Sequence, residues 1–558
     1  MRYAREVRGQ NLYTIDPRLQ SVLGRIDGAA QARFGPTLAD FGAWVGDTVD
    51  REAEYTDRFG RPTLETYDRD GETVNRVRYN PAWQAVSREA YMKGVVGLNY
   101  GPAPAPFAIT FAMGYLLSQA DISLHCPVTM TGAGAYILDR HGPPDLKARY
   151  LPDLIRRDGR ALTAGTWATE LHGGSDVGGS TTIARVRNDH VRLAGLKWFV
   201  SNVDGGLALA TARPEGAPPG TAGLGLYLVP MTLADGTPNA LRIRRLKDKL
   251  GTCGIATGEV DLVDAWSLEV APPPQGFKLM MKALEISRIH NAMGSVGLQR
   301  RAFLEAVSYA SHRAAFRQTI TAYPMLQDEL LAILVELDAD LVLAFEAARA
   351  FDREQQDPAE TPWLRLVTAL AKYRTAENAN RACRSAIEII GGNGYTYDMA
   401  TPRLVRDAQV TTVWEGPANI QALEVLRLLA PRYGGFAAFT ARIEAVLARL
   451  PDALASAAQT VAGALEDCRA AVNLIAAEPT LAPRHARRLM ALMADTLAAA
   501  FALDDAAAGL AAGDRRMAVV AELLLERHFT PAPLRGIVRG ENAGHRHFEA
   551  LIGYDPIV

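Results

Sequence analysis

The chain has little cysteine, and the spacing of its cysteines excludes two classes of small stabilised domain. Only Cys126, Cys253, Cys383 and Cys468 occur in 558 residues, and none belongs to a CxxC pair. Close cysteine pairs mark disulfide frameworks and structural zinc sites. The tail "ENAGHRHFEA" (541–550) holds two histidines without a third and fourth ligand, so we interpret it as solvated. No metal site is predicted.

Long apolar runs and an excess of one charge are also missing. No apolar segment approaches the roughly 18 residues of a spanning helix, and the N-terminal "MRYAREVRGQNLYTIDP" lacks the core of a signal peptide. The formal net charge is -2, with a sequence pI of about 6.6. Such a balance gives no general attraction to nucleic acid or anionic membranes. We expect a cytoplasmic protein without a membrane span.

Three widespread enzyme signatures are absent as well. The glycine-rich stretches "GGNGY" (391–395) and "GTAGLG" (220–225) do not fit GxGxxG, and neither lies at a clear strand-to-helix junction. GxxxxGK[ST] and GxSxG do not occur. The sequence therefore indicates neither a Rossmann dinucleotide site, nor a phosphate-binding loop, nor a common serine hydrolase.

Along the chain, the predicted secondary structure changes in a definite order. Helical patterns run to about residue 160, and short apolar runs such as "HVRLAGLKWFVSN" and "GLGLYLVP" then predict antiparallel strands. From about residue 276 apolar residues recur at three and four, as in 330–351 and in 363–390, which stops at Gly391 and Gly392. The fold class is mainly α with an inserted antiparallel β domain. We predict four domains: an N-terminal helical domain (1–161), the β domain (162–270), a helical bundle (271–430) and an additional C-terminal helical domain (431–558).

Two neighbouring stretches could hold a flat ligand. "TWATELHGGSDVGGSTT" (166–182) is rich in glycine and small hydroxyl residues, which let a ring approach backbone N–H groups. "KWFVSN" (197–202) follows and offers an aromatic ring and a serine. The alternatives are a polar loop and a strand with a core aromatic. Composition alone favours the polar loop for the first stretch.

The stretch "TTVWEGPANIQ" (411–421) carries one charged residue, Glu415, next to Trp414. A lone carboxylate beside a large aromatic is either a solvated turn residue or a base in an apolar site, where burial raises its pKa. The residues by themselves leave both interpretations open.

Together these motifs resemble the acyl-CoA dehydrogenase family of flavoproteins. The resemblance rests on "TELHGGSD", "GLKWFVSN", "RIHNAMGSVGLQRRAFLEAVSYASHRAAF" (288–316) and "AIEIIGGNGYTYDMATPRLVRDAQVTTVWEGPANIQ" (386–421). The AidB-like branch, associated with the adaptive response to DNA alkylation, is the most similar part of the family. "NLYTIDP", "VRYNPAWQ" (77–84), "CPVTMTGAGAYIL" (126–138), "RLKDKLG" (245–251) and the added C-terminal domain resemble that branch. The match covers essentially the whole chain.

The resemblance implies FAD as cofactor and assigns residues to it. The positions that contact the flavin ring match Thr169, Ser175, Phe199 and Ser201, with the amide of Asn419 as a further contact. The adenine end matches Arg313 and Phe316, and the turn from a neighbouring subunit matches Glu388, Gly391 and Gly392. Glu388 departs from the family, which usually has Gln there, and a carboxylate beside a pyrophosphate needs neutralisation. A homo-oligomer, dimer or tetramer, is expected.

The resemblance also implies a reaction. Glu415 matches the base that takes the α-proton of an acyl-CoA or other acyl thioester while flavin N5 accepts the hydride. Some members carry the base just before Arg288, but that residue here is Ser287. The electron acceptor is left open.

Two other functions remain open at this point. An oxidase or monooxygenase on the same scaffold would use oxygen as electron acceptor. An AidB-type DNA-associated protein is a third possibility. From 441 to 558 the chain carries 12 Arg, no Lys and 14 acidic residues, a balance of -2. A DNA-binding domain normally has a positive excess, so we predict weak duplex binding at most.

Overall fold

A computed structural model describes residues 3–187, 190–530 and 541–558. The helices are α1 (Pro17–Trp44), α2 (Asp50–Arg58), α3 (Pro81–Lys93), α4 (Phe107–Ser118), α5 (Ile122–His141), α6 (Pro144–Ile155), α7 (Gln275–His312), α8 (Pro324–Glu354), α9 (Thr361–Ile390), α10 (Thr401–Thr411), α11 (Ala418–Leu429), α12 (Gly435–Leu447), α13 (Ala455–Ala477), α14 (Ala482–Ala511), α15 (Arg516–His528), α16 (Ala543–Arg546) and α17 (Phe548–Gly553). The strands are β1 (Thr63–Tyr67), β2 (Thr73–Arg78), β3 (Ala164–Trp167), β4 (Ile183–Val186), β5 (Val191–Ser201), β6 (Leu207–Pro214), β7 (Gly225–Pro230), β8 (Leu241–Leu246), β9 (Thr257–Ala271), β10 (Ala314–Ala315) and β11 (Gln318–Thr319). This order confirms the predicted fold class.

The chain forms two compact units, which we describe separately. The first comprises Met1–Asp47, Phe107–Gln119 and Asn291–Val558, and the second comprises Thr48–Pro106 and Ala120–His290. The division into four domains remains a prediction.

The second unit contains the β sheet. Its strands follow the order β3-β6-β4-β5-β9-β7, and β8 pairs with β9. Side chains such as Trp167, Leu193, Tyr227 and Val260 are buried in its core. Most neighbours are antiparallel as predicted, but β3–β6 and β4–β6 are parallel. A parallel neighbour needs a crossover connection, and the intervening strands β4 and β5 provide one between β3 and β6.

A hairpin in the N-terminal part was not predicted. The sequence patterns had indicated only helices here, whereas β1 and β2 pair in antiparallel fashion. Between them Gly71 has a φ of +84°, a conformation that glycine adopts without steric cost. The Asp70-Gly71 pair is a turn signal that could have been recognised.

The first unit is a bundle of long helices. α8 and α9 pack against each other and against α14, and each buries a continuous apolar stripe that includes Leu334, Leu370 and Leu497. Their recurrence at three and four positions is the predicted helical pattern. α9 ends where Gly391 takes a φ of +77°, and α11 begins three residues after Glu415. The end of α9 agrees with the sequence analysis.

Buried ion pairs cross this bundle. Asp338 on α8 lies 2.9 Å from Arg516 of α15, and the hydroxyl of Tyr554 accepts a hydrogen bond from Arg300 of α7 at 2.8 Å. A buried charge that loses its partner is costly, so these contacts fix how the C-terminal helices pack on α7 and α8.

The C-terminal tail is not solvated as we had interpreted it. The stretch 541–550 includes α16 and the start of α17, and Ala543, Phe548 and Leu551 are buried. Phe548 and Leu551 are three residues apart and so lie on one face of α17. This shared apolar face explains why the short helix packs against the bundle.

A second charged cluster contains a histidine. His528 of α15 lies 2.9 Å from Glu336 and 3.4 Å from Asp495, and Arg374 contacts both Glu336 and Asp340. Burial disfavours the imidazolium, but hydrogen bonds to Asp495 and Glu336 outweigh this effect and raise the pKa of His528 to about 9.

This raised pKa predicts a pH-dependent stability. Because the folded pKa exceeds the ordinary value of 6.5, the stabilisation is complete below pH 6.5 and disappears as the pH rises through about 9. We expect His528→Gln to lower the free energy of unfolding at pH 6 by on the order of 2 kcal/mol. Urea unfolding should show the two proteins converging near pH ~9.5. His485→Gln, on α14, is the control and should not alter the pH profile; an equal deficit of His528→Gln at both pH values would contradict the prediction.

Candidate functional site

In the second unit, the loop that follows β3 is organised around one carboxylate. Glu170 is buried and accepts hydrogen bonds from the backbone N–H groups of Thr181 and Thr182 at 2.7 and 3.2 Å, and from their hydroxyls at 2.8 and 2.6 Å. Lys197 of β5 donates to the same carboxylate at 2.8 Å. The two ends of the 166–182 loop are therefore held together at Glu170.

Lys197 and Glu170 form a fully buried ion pair. The ammonium also donates to the carbonyl oxygen of Thr211 on β6 at 2.8 Å. Burial opposes ionisation of Glu170, but Lys197 and the threonine donors outweigh it and lower the pKa of Glu170 to about 2. Burial lowers the pKa of Lys197, and Glu170 opposes this shift. Glu170 therefore remains ionised at neutral pH.

The four positions matched to the flavin ring lie in this loop and on β5. The carbonyl oxygen of Thr169 accepts the N–H of Trp198 at 3.0 Å, which fastens the loop to the strand. Phe199 is 57% exposed, unusual for a ring on a central strand. Ser201 faces the same side as Phe199 because side chains alternate along a strand. Ser175 is exposed further along the loop.

Two lysines approach this part of β5. Lys247 Nζ lies 3.5 Å from the ring centroid of Trp198 and 4.9 Å from that of Phe199, and it pairs with Glu259 at 2.5 Å. Lys249 Nζ donates to Thr257 Oγ1 at 3.0 Å, and Thr257 Oγ1 lies 3.0 Å from Ser201 Oγ.

In the first unit, Glu415 lies in a strained turn between α10 and α11. Its φ is +58°, a left-handed conformation that is uncommon for a residue with a Cβ, and Gly416 follows with a φ of +95°. Both Glu415 and Trp414 are half-buried. Trp414 Nε1 is buried and has no hydrogen-bond partner among the residues that the structure describes. The turn thus combines a carboxylate, an indole and an unusual backbone.

Two buried side chains hold this turn from behind. Lys372 of α9 donates to the carbonyl oxygen of Gly416 at 2.8 Å. The amide of Gln421 donates to the carbonyl oxygens of both Glu415 and Gly416 at 3.0 Å. These bonds compensate the cost of a left-handed residue, typically of order 1–3 kcal/mol.

The pair matched to the adenine end follows α7. Arg313 precedes the small β10–β11 hairpin, and its carbonyl oxygen accepts the N–H of Ile320 at 2.9 Å. At the tip, Phe316 has a φ of +49° and is 90% exposed. Its ring stands edge-to-face to Tyr323 at a centroid distance of 6.3 Å, and its exposed surface is available to stack against a ligand or another chain.

The glycine turn lies at the end of α9. Gly391 and Gly392 are exposed, and a Cβ on either would meet nothing within 4 Å. Glu388, the departure from the family pattern, pairs with Arg384 at 2.6 Å one helical turn earlier. Arg384 thus supplies the neutralisation that a carboxylate near a phosphate needs. Asn419, in the first turn of α11, is exposed.

Sequence reasoning missed the residues that support these loops. Lys197, Lys247, Lys249, Lys372 and Gln421 were not identified. Lys197 is a single charge within an otherwise apolar strand face, and that pattern was a usable signal because buried lysines need a fixed partner.

Family models match three parts of the chain. The acyl-CoA dehydrogenase C-terminal domain matches residues 274–430, the acyl-CoA dehydrogenase middle domain matches 165–265, and the adaptive response protein AidB N-terminal domain matches 3–158. Acyl-CoA dehydrogenase family member 11 of Caenorhabditis elegans is 32% identical over 78% of this chain and 73% of its own length. The chain belongs to the acyl-CoA dehydrogenase family.

Further acyl-CoA dehydrogenases support this membership and the AidB-like resemblance. The putative acyl-CoA dehydrogenase AidB of Escherichia coli is 32% identical over 77% of this chain and 80% of its own length. The crystal structure of C. elegans ACDH-11 in complex with C11-CoA has a TM-score of 0.87 at 29% identity, covering 96% of this chain and 94% of that one. An acyl-CoA dehydrogenase from Bacillus anthracis complexed with FAD shares the fold, with a TM-score of 0.70 at 19% identity, covering 80% of this chain and 81% of that one.

Acyl-CoA dehydrogenases are FAD-dependent oxidoreductases that act on CH–CH bonds. Within the described ranges of this member, no helix has both the length and the apolar character needed to cross a membrane.

The buried ion pair predicts a strongly non-additive response. Lys197→Met leaves the Glu170 carboxylate buried without its counter-ion and should lower the free energy of unfolding by about 3–5 kcal/mol. The double variant with Glu170→Gln removes both charges and should lose less than the sum of the single changes. Urea unfolding measures all four proteins. Arg185→Met breaks the exposed Arg185–Glu215 pair of the same unit and, as control, should cost less than about 1 kcal/mol. Strict additivity would contradict the role given to the pair.

Proposed function

We propose that this protein is an FAD-dependent acyl-CoA dehydrogenase in which Glu415 removes the α-proton of an acyl thioester. The observation that carries the proposal is the turn at Glu415. The Glu415 backbone is left-handed, and the residue is half-buried beside Trp414. Lys372 and Gln421 hold the turn by hydrogen bonds. This conformation carries a free-energy cost that a solvated turn residue would not require. This favours the second of the two interpretations that the sequence left open.

The residues present fit FAD. Thr169, Ser175, Phe199 and Ser201 offer hydroxyls and an exposed ring on one side of β5 and its loop, which suits a flat heterocycle. In the other unit, Arg313 and Phe316 offer a cation and a ring, and the open space at Gly391 and Gly392 lets a phosphate approach the backbone closely. When bound, FAD would supply the hydride acceptor.

The chain's own groups account for the proton transfer. Glu415 in its ionised form accepts the α-proton, and its fixed backbone limits where the carboxylate can reach. Glu415 is half-buried beside Trp414, and partial exclusion of water favours proton acceptance by a carboxylate. A thioester carbonyl needs hydrogen-bond donors as its enolate forms.

An acyl-CoA is the proposed substrate class. The ACDH-11 structure contains C11-CoA and covers nearly the whole of this chain. A CoA thioester also has the activated α-proton that a glutamate base can remove, which an unactivated acyl chain lacks. The proposal therefore names the acyl thioester as the reacting group.

Charge argues against duplex DNA as a ligand of the C-terminal helices. Arg484 and Arg488 are exposed at the start of α14, but Arg487 pairs with Glu377 at 3.0 Å. The net charge from 441 to 558 is -2. In the described part of these helices, the exposed arginines therefore do not add up to the extended cationic surface that nucleic-acid binding requires.

The base assignment predicts a specific loss of rate. Glu415→Gln keeps the size of the side chain but cannot accept a proton, so anaerobic reduction of the flavin by acyl-CoA should fall by about 10²–10⁴-fold. FAD content and substrate binding should change little. Stopped-flow absorbance at the flavin band measures the rate. Glu377→Gln, a change of another glutamate of the same unit, is the control. Reduction of the Glu415→Gln variant at the wild-type rate would identify Glu415 as a turn residue.

Arg313 and Phe316 form one proposed half-site for FAD, and Gly391 and Gly392 form the other. We predict that the two half-sites of one FAD belong to different subunits of a homo-oligomer. Arg313→Ala should weaken FAD retention by losing charge, and Gly391→Val by blocking the turn; Val is also strained at a φ of +77°. If the half-sites of one FAD belong to different subunits, co-expression of both variants should restore part of the FAD content, because mixed oligomers contain intact sites. Each variant alone serves as control. Absence of restoration in mixed oligomers would assign both half-sites to one subunit.

A further inference from the structure

Lys249 is joined to Ser201 by a short chain of hydrogen bonds within the second unit. Lys249 Nζ donates to the carbonyl oxygen of Ile255 at 2.8 Å and to Thr257 Oγ1 at 3.0 Å. Thr257 is only 4% exposed, and its hydroxyl lies 3.0 Å from Ser201 Oγ. The three side chains therefore form a continuous path from a cation to Ser201.

The pairing of two strands fixes this path. Ser201 is the last residue of β5 and lies directly opposite Thr257, the first residue of β9. Side chains at directly opposed positions stand on the same face of a sheet about 5 Å apart. A shift of register by one residue would turn Thr257 to the other face, so the contact is a consequence of the fold.

The donor and acceptor capacities of the three side chains determine the direction of hydrogen-bond donation along this path. An ammonium can only donate, so Thr257 Oγ1 must accept from Lys249. A hydroxyl has a single hydrogen, and that of Thr257 can then be donated to Ser201 Oγ. In that arrangement Ser201 Oγ accepts from Thr257, so its own hydrogen remains to be donated to another acceptor, and each hydroxyl is polarised by the group behind it.

We propose that Lys249 is a positioning residue that acts through Thr257 to fix the Ser201 hydroxyl as a hydrogen-bond donor toward the flavin ring, and so contributes to the redox potential of the bound flavin. The proposal rests on the FAD binding proposed above. A donor backed by a positive charge binds its acceptor more strongly than a neutral one does. Reduction changes both the charge and the hydrogen-bonding capacity of the ring atoms, so a stronger donor alters the affinities for the oxidised and the reduced form unequally.

Lys247 is a neighbouring cation without such a path. Its ammonium lies over the rings of Trp198 and Phe199 and is paired with Glu259. It therefore separates the effect of a nearby charge from the effect of the hydrogen-bond chain, and Lys247→Met is the matched control.

The experiment measures the midpoint potential of FAD bound to the purified protein, by reduction in the presence of a redox dye. We expect Lys249→Met and Thr257→Val each to change the binding of reduced relative to oxidised FAD by about tenfold, and in the same direction. For a two-electron couple this shifts the midpoint potential by about 30 mV. Thr257→Ser keeps the hydroxyl and should stay near the wild-type potential.

The double variant tests whether the groups act in series. Lys249→Met combined with Thr257→Val should shift the potential no further than either change alone, because both interrupt one chain. Additive shifts would overturn the relay, as would an unchanged potential in Thr257→Val or a shift in Lys247→Met equal to that in Lys249→Met. If Lys249→Met does not retain FAD, the comparison of Thr257→Val with Thr257→Ser decides the question.

The readout requires no acyl thioester, which separates it from the proposed function. A wild-type protein that takes up no FAD contradicts the proposed function. An FAD-containing wild-type protein whose Thr257→Val variant keeps the same potential contradicts the relay alone.

Discussion

The 166–182 loop of the second unit depends on the carboxylate of Glu170. Five donors converge on it, two backbone N–H groups, two threonine hydroxyls and the Lys197 ammonium. A glycine-rich loop has high conformational entropy when unfolded, and here one buried anion restricts both of its ends. Since Lys197 also binds β6 through the carbonyl oxygen of Thr211, the same interaction joins the loop to the sheet. The exposure of Phe199 and Ser201 on a rigid strand follows from this arrangement.

In the other unit, a buried lysine also supports an irregular loop, but with different partners. There the buried ammonium of Lys372 binds the carbonyl oxygen of Gly416 and supports a backbone that would otherwise be unfavourable. A lysine has a long flexible stem and a compact charge, so it can reach a loop from the middle of a strand or a helix. In both units, the element that carries the lysine is well packed, and the loop that it holds is irregular. The packed core therefore fixes the conformation of these loops.

What could be predicted from the sequence depends on which interactions join residues that are close together in the chain. The long helices α8 and α9 and the glycine end of α9 were recognisable because apolar spacing and Gly391 act within the helix itself. The motifs around Thr169 and Glu415 were found by family resemblance. The β1–β2 hairpin was missed although Asp70-Gly71 signalled its turn.

Contacts between distant segments were beyond the reach of the sequence. The partnership of Lys249 with Ser201 could not be predicted, because it depends on the register between β5 and β9, which are separated by three other strands. The pairing of Glu388 with Arg384, by contrast, is local: the two residues lie four apart on a predicted helix, so their spacing was a usable signal that sequence reasoning missed.

Helix α9 carries Lys372 in its middle and ends at Gly391, so one rigid segment connects the support of the Glu415 turn with the exposed glycine turn. An α-helix advances 1.5 Å per residue, which sets these two points about 28 Å apart. Adding or removing a single residue between them would rotate one point relative to the other by about 100°. Exposed side chains of this segment can therefore be exchanged without disturbing either turn, whereas the number of residues cannot change. In this segment, the number of residues is more tightly constrained than the identity of the exposed side chains.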